Sequence, residues 1–230
     1  MPGYYPMMMK LAGKRCIVVG GGTVAERKVL GLIEGGADTV IVIAPASTER
    51  LQALTGSGCI AYVQREYRES DLEGAFLLIA ATNDRQLNAR IAAAADERGI
   101  PVNTADRSEL GSFITPAVVK RGDLTIALST GGASPALTAL LKRRLAEQYG
   151  PEYEGFLERL HALRKRVLEI ITEPGLRTAV LRLAAEELPL FTETADKQAR
   201  AKDSWPYADM SEYQLEEWMN RLLQAAERGC

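Results

Sequence analysis

Residues Arg15 to Arg27, RCIVVGGGTVAER, constrain the fold of this chain more than any other stretch. Cys16 to Val19 is a short apolar run rich in β-branched residues, as a buried strand requires. It runs into Gly20-Gly21-Gly22, and a helical pattern begins at Thr23. Strand, glycine turn and helix in that order make a dinucleotide-binding pattern, G-x-G-x-x-A. Gly20 would allow the tight turn, and Gly22 would let the backbone approach a pyrophosphate. Ala25 stands where a third glycine would bring the helix close to the strand. The helix N-terminus then offers unpaired N–H groups to the anion. A tight structural turn with no ligand is the other reading of the same letters.

The stretch up to Thr104 repeats this alternation. Val24 to Gly35 carries apolar residues at helical spacing and ends in Gly35-Gly36, a C-cap signal. Thr39 to Ile43 reads as a second buried strand, Thr48 to Leu54 as a helix, and Ile60 to Gln64 as a short strand. Phe76 to Ala81 is a further strand, closed by Thr82-Asn83-Asp84, a helix-capping turn. Gln86 to Arg98 follows as a helix with alanines on its packed face, and Pro101 to Thr104 as another strand. Continuously apolar strands separated by helices predict a parallel sheet covered on both faces, a Rossmann-type α/β domain.

Several classes of function are disfavoured at this point. A formal net charge of -2 provides no basic surface for nucleic acid or an anionic membrane. No apolar run approaches the ~20 residues of a membrane span. The opening MPGYYPMMMKLAGKR is too short and too polar-flanked for a signal peptide. Cys16, Cys59 and Cys230 are odd in number and widely separated, which suits neither a disulfide framework nor a zinc site. The expected compartment is the cytoplasm, and no resident metal is expected.

Many such domains carry an acidic residue about 20 positions after the glycines, where it binds ribose hydroxyls. Here Ile43, Ala44 and Pro45 hold that place, with no carboxylate and no arginine for a 2′-phosphate. The adenosine end would be held by backbone and apolar packing, which favours NAD over NADP. Thr82 to Asp84 leaves the carboxyl end of a neighbouring strand, where ligands sit in open sheets, so cofactor contact stands beside capping. Asn103 and Asp106 flank the end of the next strand on the same side; a solvated Asp106-Arg107 turn is the ordinary alternative. The only histidine, His161, lies in a later helical stretch, so proton chemistry falls to a carboxylate. A second glycine loop, Ser129-Thr130-Gly131-Gly132-Ala133-Ser134-Pro135, follows the strand Leu124 to Leu128. Ser134 is a natural N-cap and Pro135 a natural first helical residue, ahead of an amphipathic helix from Ala136 to Ala146. Its hydroxyls and N–H groups suit carboxylates, or simply make a strand-to-helix turn.

Taken in order, GGGTVAERK, AATNDRQLN, NTADRSELGSFITPAVVKR and LSTGGASPALTALLKRRL resemble the precorrin-2 dehydrogenase/sirohydrochlorin ferrochelatase family. The resemblance covers residues 4–150 and includes the leader YYPMMMKLAGK. With only helical sequence after it, it points to the free-standing form rather than to one fused to a methyltransferase. It implies oxidation of precorrin-2 to sirohydrochlorin with NAD+ as hydride acceptor, and in some members Fe2+ insertion to give siroheme. Asp106 matches the family's acid-base aspartate. Thr23 and Val24, with Ala44 and Pro45, match the family's NAD-contacting positions; the Gly20-Gly21-Gly22 turn, read from its spacing, and Thr82 and Asn83, read from their place at a strand end, complete the expected cofactor site. The polycarboxylate substrate would meet Asn103, Ser129, Thr130, Gly131 and Gly132, with Arg143 and Arg144 nearby. Thr130 departs from the serine of some fused synthases but keeps a hydroxyl. A non-catalytic NAD-sensing module and a chelatase without dehydrogenase activity are the alternatives.

The expected organisation is an NAD-binding domain over 1–114, a dimerisation and substrate-loop segment over 115–150, and a helical region over 151–230. Helices are predicted at Tyr153 to Thr172, Leu176 to Leu188 and Tyr213 to Arg228. Pro174-Gly175 reads as a break, Lys197 to Asp209 as a polar linker, and Trp205 and Trp218 as packing anchors. The resemblance implies a homodimer.

Overall fold

The computed structural model describes residues 3–194 and 211–228; Trp205, the linker 197–209 and Cys230 lie outside them. Chain contacts divide into two compact units, Met1–Thr115 and Pro116–Cys230.

In the first unit β1 (Arg15–Val19), β2 (Thr39–Ile43), β3 (Ala61–Val63), β4 (Leu77–Ala80) and β5 (Val102–Thr104) form one sheet. All pairings are parallel, in the order β3-β2-β1-β4-β5. The period-2 alternation of β1 splits its side chains between two layers. Cys16 and Val18 pack with Ala25, Val29 and Leu32 of α1 (Thr23–Glu34). Ile17 and Val19 pack with Ile91, Ala92 and Ala95 of α3 (Arg85–Asp96). The sheet is therefore covered on both faces, which is why its strands are continuously apolar. This is the Rossmann-type arrangement expected from the sequence. Its strand order reverses between β1 and β4, and the crevice at that switch point is the usual ligand position. α1 stops where Gly36 turns to φ +84° and the Ala37 N–H returns to the Leu32 carbonyl at 2.9 Å. α2 (Glu49–Gly56) is capped by Thr48, whose hydroxyl accepts from the Leu51 N–H.

One ion pair stabilises the rim of this unit. Asp71 is buried, accepts two hydrogen bonds from the Arg65 guanidinium at 2.8 and 2.6 Å, and takes the Arg68 N–H at 2.8 Å. The Arg65 hydrogen bonds outweigh burial and hold the Asp71 carboxyl below the usual carboxylate range. A carboxyl lowered in the folded state stabilises above its unfolded pKa, and that stability is lost as pH falls through the folded value. Asp71→Asn should therefore cost about 1.5–3 kcal/mol at neutral pH. The gap between variant and wild-type melting curves should close below about pH 4; a gap independent of pH would refute this.

The second unit opens with an antiparallel ribbon, β6 (Ala117–Arg121) and β7 (Leu124–Leu128), joined by Gly122-Asp123 with Gly122 at φ +53°. β6 is absent from the sequence-based expectation. Only its central Val119 is buried and its other residues are half-buried or exposed, so it lacks the apolar run that marks β1 or β4. The Arg121 guanidinium donates to the carbonyls of Tyr149 and Ala146 and so closes the C-terminus of α4 (Pro135–Gln148). α5 (Glu152–Ile170), α6 (Pro174–Thr194) and α7 (Glu212–Arg228) pack around Leu163, Val167, Val180, Ala184, Trp218 and Leu222. α6 starts at Pro174 itself, two residues before the expected Leu176. Proline is favoured at a first helical position, and the Glu173 carboxylate takes the N–H groups of Gly175 (2.8 Å) and Leu176. Trp218 is an anchor as expected, its indole N–H donating to Glu187 at 2.9 Å. Among the described residues no helix is long and apolar enough to cross a membrane.

Candidate active site

The carboxyl ends of β1, β2, β4 and β5 bring four loops to one edge of the sheet. The three glycines after β1 have three different environments. Gly20 has φ +123°, and a Cβ there would lie 2.3 Å from the Ala81 carbonyl oxygen. A Cβ on Gly21 would lie 2.0 Å from the Ala46 carbonyl oxygen. These two glycines let β1's turn press against the ends of β4 and β2. At Gly22 a Cβ would meet nothing within 4 Å. Gly22 is also the N-cap of α1 and has no side-chain capping bond, so the first-turn N–H groups face open space. Ala25 is fully buried, as close helix–strand packing demands. An uncapped helix start above an open glycine fits the pyrophosphate of a dinucleotide.

Thr23 and Val24 are exposed at this helix start; Val24, an apolar residue, is 40% exposed. After β2, Ala44 is buried and Pro45 exposed. The Ala44 carbonyl accepts from the Tyr62 hydroxyl at 2.9 Å, and the Pro45 carbonyl from Gln64 at 3.4 Å. Thr48 braces the same loop: its N–H donates to the Gly21 carbonyl and its hydroxyl to Glu26 at 2.7 Å. The adenosine end of the edge is thus built from fixed backbone, without a carboxylate at the end of β2.

After β4, the N-cap of α3 is Asp84, which accepts from the N–H groups of Gln86 and Leu87. Asn83 is exposed, and the Thr82 hydroxyl is spent internally, donating to Asn88 at 2.7 Å. Asn88 is fully buried and also donates to Asp106 Oδ1 at 3.0 Å. The Asp106 side chain is 20% exposed, with Arg107 Nε 3.9 Å from its Oδ2. Asp106 therefore stands just past the C-terminal end of β5 as a partly exposed carboxylate, with Oδ1 held by Asn88 and Oδ2 beside the Arg107 guanidinium. Asn103 is 4% exposed; its amide N–H donates to the Phe113 carbonyl, while its Oδ1 is buried without a partner. An unpaired buried acceptor costs about 1–3 kcal/mol.

Two residues of this unit escaped the sequence reading. Asn88 interrupts the buried alanine stripe of α3, and a polar residue on an apolar face is the signal that could have found it. Lys28 on α1 is half-buried and donates to the Thr115 hydroxyl at 2.5 Å. Burial, with Arg27 beside it, pushes the Lys28 ammonium down. Among the described residues no cluster of three or more His, Cys, Asp or Glu could hold a metal ion.

In the second unit, Gly131 (φ +61°) and Gly132 (φ +86°) shape the loop before α4. Its hydroxyls build the turn. Ser129 Oγ accepts from the Gly131 N–H, and Thr130 Oγ1 lies 3.1 Å from Thr138 Oγ1 and accepts from the Ser134 N–H. Ser134 caps α4 through the Leu137 N–H, with Pro135 first in the helix. Arg143 and Arg144 are exposed.

Comparison with known proteins agrees with this geometry. Residues 7–117 match a family model described as putative NAD(P)-binding, and 121–148 one described as sirohaem biosynthesis protein central. Siroheme synthase of Methylococcus capsulatus is 43% identical over 175 residues, 76% of this chain and 36% of that protein. Siroheme synthase of Nitrosococcus oceani is 41% identical over 170 residues, 74% of this chain and 36% of that protein. The chain thus spans about a third of the length of these curated relatives. A solved structure of SirC, precorrin-2 dehydrogenase, superposes with a TM-score of 0.66 at 27% identity, covering 96% of this chain and 100% of that one.

Proposed function

The chain belongs to the precorrin-2 dehydrogenase/sirohydrochlorin ferrochelatase family, and on that premise we propose that it oxidises precorrin-2 to sirohydrochlorin with NAD+. The observation that carries the reading is the juxtaposition, at one sheet edge, of an uncapped helix start over Gly22 and the half-held carboxylate of Asp106. When bound, NAD+ supplies the two-electron acceptor for the hydride that leaves the substrate. The N–H groups of Thr23 and Val24 would hold its pyrophosphate, and the dipole of α1 would add a favourable field. The loop at Ala44 and Pro45 packs on adenosine, and Thr82 and Asn83 border the nicotinamide end. NAD is preferred to NADP because no cation stands at the end of β2 to meet a 2′-phosphate.

Dehydrogenation removes a proton as well as a hydride, and Asp106 accepts that proton on Oδ2, the oxygen that Asn88 does not hold. Asn103 lies beneath this edge, where its amide fixes the Phe113 backbone beside the substrate. The loop Ser129 to Gly132 offers the N–H groups of Thr130 and Gly132 to substrate carboxylates, its hydroxyls and the Gly131 N–H being used to hold the turn. Under the same reading Asp106 strips pyrrole protons as Fe2+ enters sirohydrochlorin, with Fe2+ as a substrate. The reaction is placed in the cytoplasm, where an exposed free thiol such as Cys59 persists.

The test is an anaerobic assay with enzymatically generated precorrin-2, followed spectrally, with Fe2+ added after the first phase. Sirohydrochlorin should form only with NAD+, and Fe2+ should then give siroheme faster than the spontaneous rate. No NAD+-dependent change would overturn the dehydrogenase reading, and an iron phase at the spontaneous rate would remove the chelatase half.

The protein acts as a homodimer through the ribbon and α4. No residue of α4 is buried in a single chain, and Leu137 on it is 45% exposed. Leu137→Asp should shift the protein from dimer to monomer by sedimentation equilibrium; an unchanged mass would place the interface elsewhere.

A further inference from the structure

The amide of Asn88 is saturated in a way that fixes its direction. Its Oδ1 accepts from the Thr82 N–H at 3.2 Å and from the Thr82 hydroxyl at 2.7 Å. Its Nδ2 donates to the Thr82 carbonyl at 3.0 Å and to Asp106 Oδ1 at 3.0 Å. A primary amide has two acceptor sites and two donors, and all four are engaged. Turning the amide over would set N–H against the Thr82 N–H and carbonyl against the Thr82 carbonyl. The backbone of one residue therefore dictates that a donor, never an acceptor, faces Asp106.

We propose that Asn88 is a positioning residue for Asp106. It ties the carboxylate to the end of β4 and leaves Oδ2 as the oxygen that receives the proton. This rests on the reading of Asp106 as proton acceptor, and extends it to the residue that sets its geometry. The link continues to the cofactor loop. Thr82 follows Ala81, whose carbonyl oxygen fills the place of a Cβ on Gly20. A short chain of contacts thus runs from the glycine turn through the end of β4 and Asn88 to Asp106, and holds the spacing between dinucleotide and base. Other groups restrain the loop backbone, with the Ala105 N–H on the Ala80 carbonyl at 2.9 Å and the Thr104 hydroxyl on the Arg107 carbonyl. Among the described residues, Asn88 alone donates a hydrogen bond to the carboxylate itself.

Asn88→Asp is the informative substitution. It keeps an oxygen for both Thr82 donors, but it replaces Nδ2, the donor to both the Thr82 carbonyl and Asp106, with a carboxylate oxygen. The full-length variant is compared with wild type for NAD+ binding by calorimetry, melting temperature, and KM and kcat with precorrin-2. NAD+ affinity and KM should stay within about threefold, while kcat falls about 10–100-fold, as for a misplaced reacting group. Should Asn88→Asp not fold, Asn88→Ala carries the same expectation, because alanine suits the alanine-rich face of α3. A kcat within twofold of wild type, or a loss in NAD+ affinity and melting temperature in place of kcat, overturns the proposal. A wild-type protein that turns over while Asp106→Ala is equally active overturns it by removing its premise. A wild type with no NAD+-dependent oxidation fails the functional reading instead, and the positioning role falls with it.

Discussion

Asp106→Ala is expected to lower turnover of precorrin-2 about 10²–10⁴-fold while NAD+ affinity stays close to wild type. The asymmetry follows from where the carboxylate sits. Its hydrogen bond comes from Asn88 on α3, and the anion-binding helix start lies after β1. Removing a proton acceptor costs transition-state stabilisation and leaves ground-state contacts to the dinucleotide in place. Folding should lose no more than about 1–3 kcal/mol, the cost of leaving one N–H of the buried Asn88 unpaired. The measurement is kcat at saturating substrate beside an NAD+ titration. Parallel loss of both would show that Asp106 holds the cofactor or the fold, and would end its assignment as base.

Gly22→Val should weaken NAD+ binding about 10–100-fold, the equivalent of the charge-assisted hydrogen bonds it would block. Its melting temperature should stay near wild type, because a Cβ at Gly22 meets no protein atom and its φ is -83°. The neighbouring glycines should behave in the opposite way. Gly20→Val forces a side chain into the left-handed region and onto the Ala81 carbonyl, and Gly21→Val drives one into the Ala46 carbonyl. Each should destabilise the first unit by about 1–3 kcal/mol or more before any question of ligand arises. One motif thus separates into two positions that build the turn and one that admits the ligand. Unchanged NAD+ affinity in Gly22→Val would place the pyrophosphate elsewhere.

The first unit was largely legible because its signals are local. β1, β2 and β4 are short runs of β-branched and apolar residues, buried on both faces and bounded by glycine or a capping turn, so no distant contact is needed to recognise them. The glycine turn declares itself by spacing, and Ser134-Pro135 by the chemistry of a helix start. Where the pattern depends on partial burial the reading was poorer. β6 half-faces solvent and was missed beside its partner β7, although Gly122-Asp123 is a two-residue hairpin signal. Pro174-Gly175 reads as a break in the sequence, yet the Glu173 side chain makes Pro174 the beginning of α6.

What the sequence by itself determined is therefore the kind of sheet, the glycine turn over a helix start, and the carboxylate offered at the end of β5. Each depends on residues within a few positions of one another, where propensity and spacing act directly. The tertiary structure decided how those parts are tied together. Only folding brings Thr82, Asn88 and Asp106 within hydrogen-bond distance, and only there does a buried amide with every site engaged set the direction of its last donor. It also decided which of three adjacent glycines is open, because that depends on the carbonyls of Ala46 and Ala81, which arrive on other strands. A local pattern can specify which groups are present, but the distances between them are set by the packing of the whole sheet.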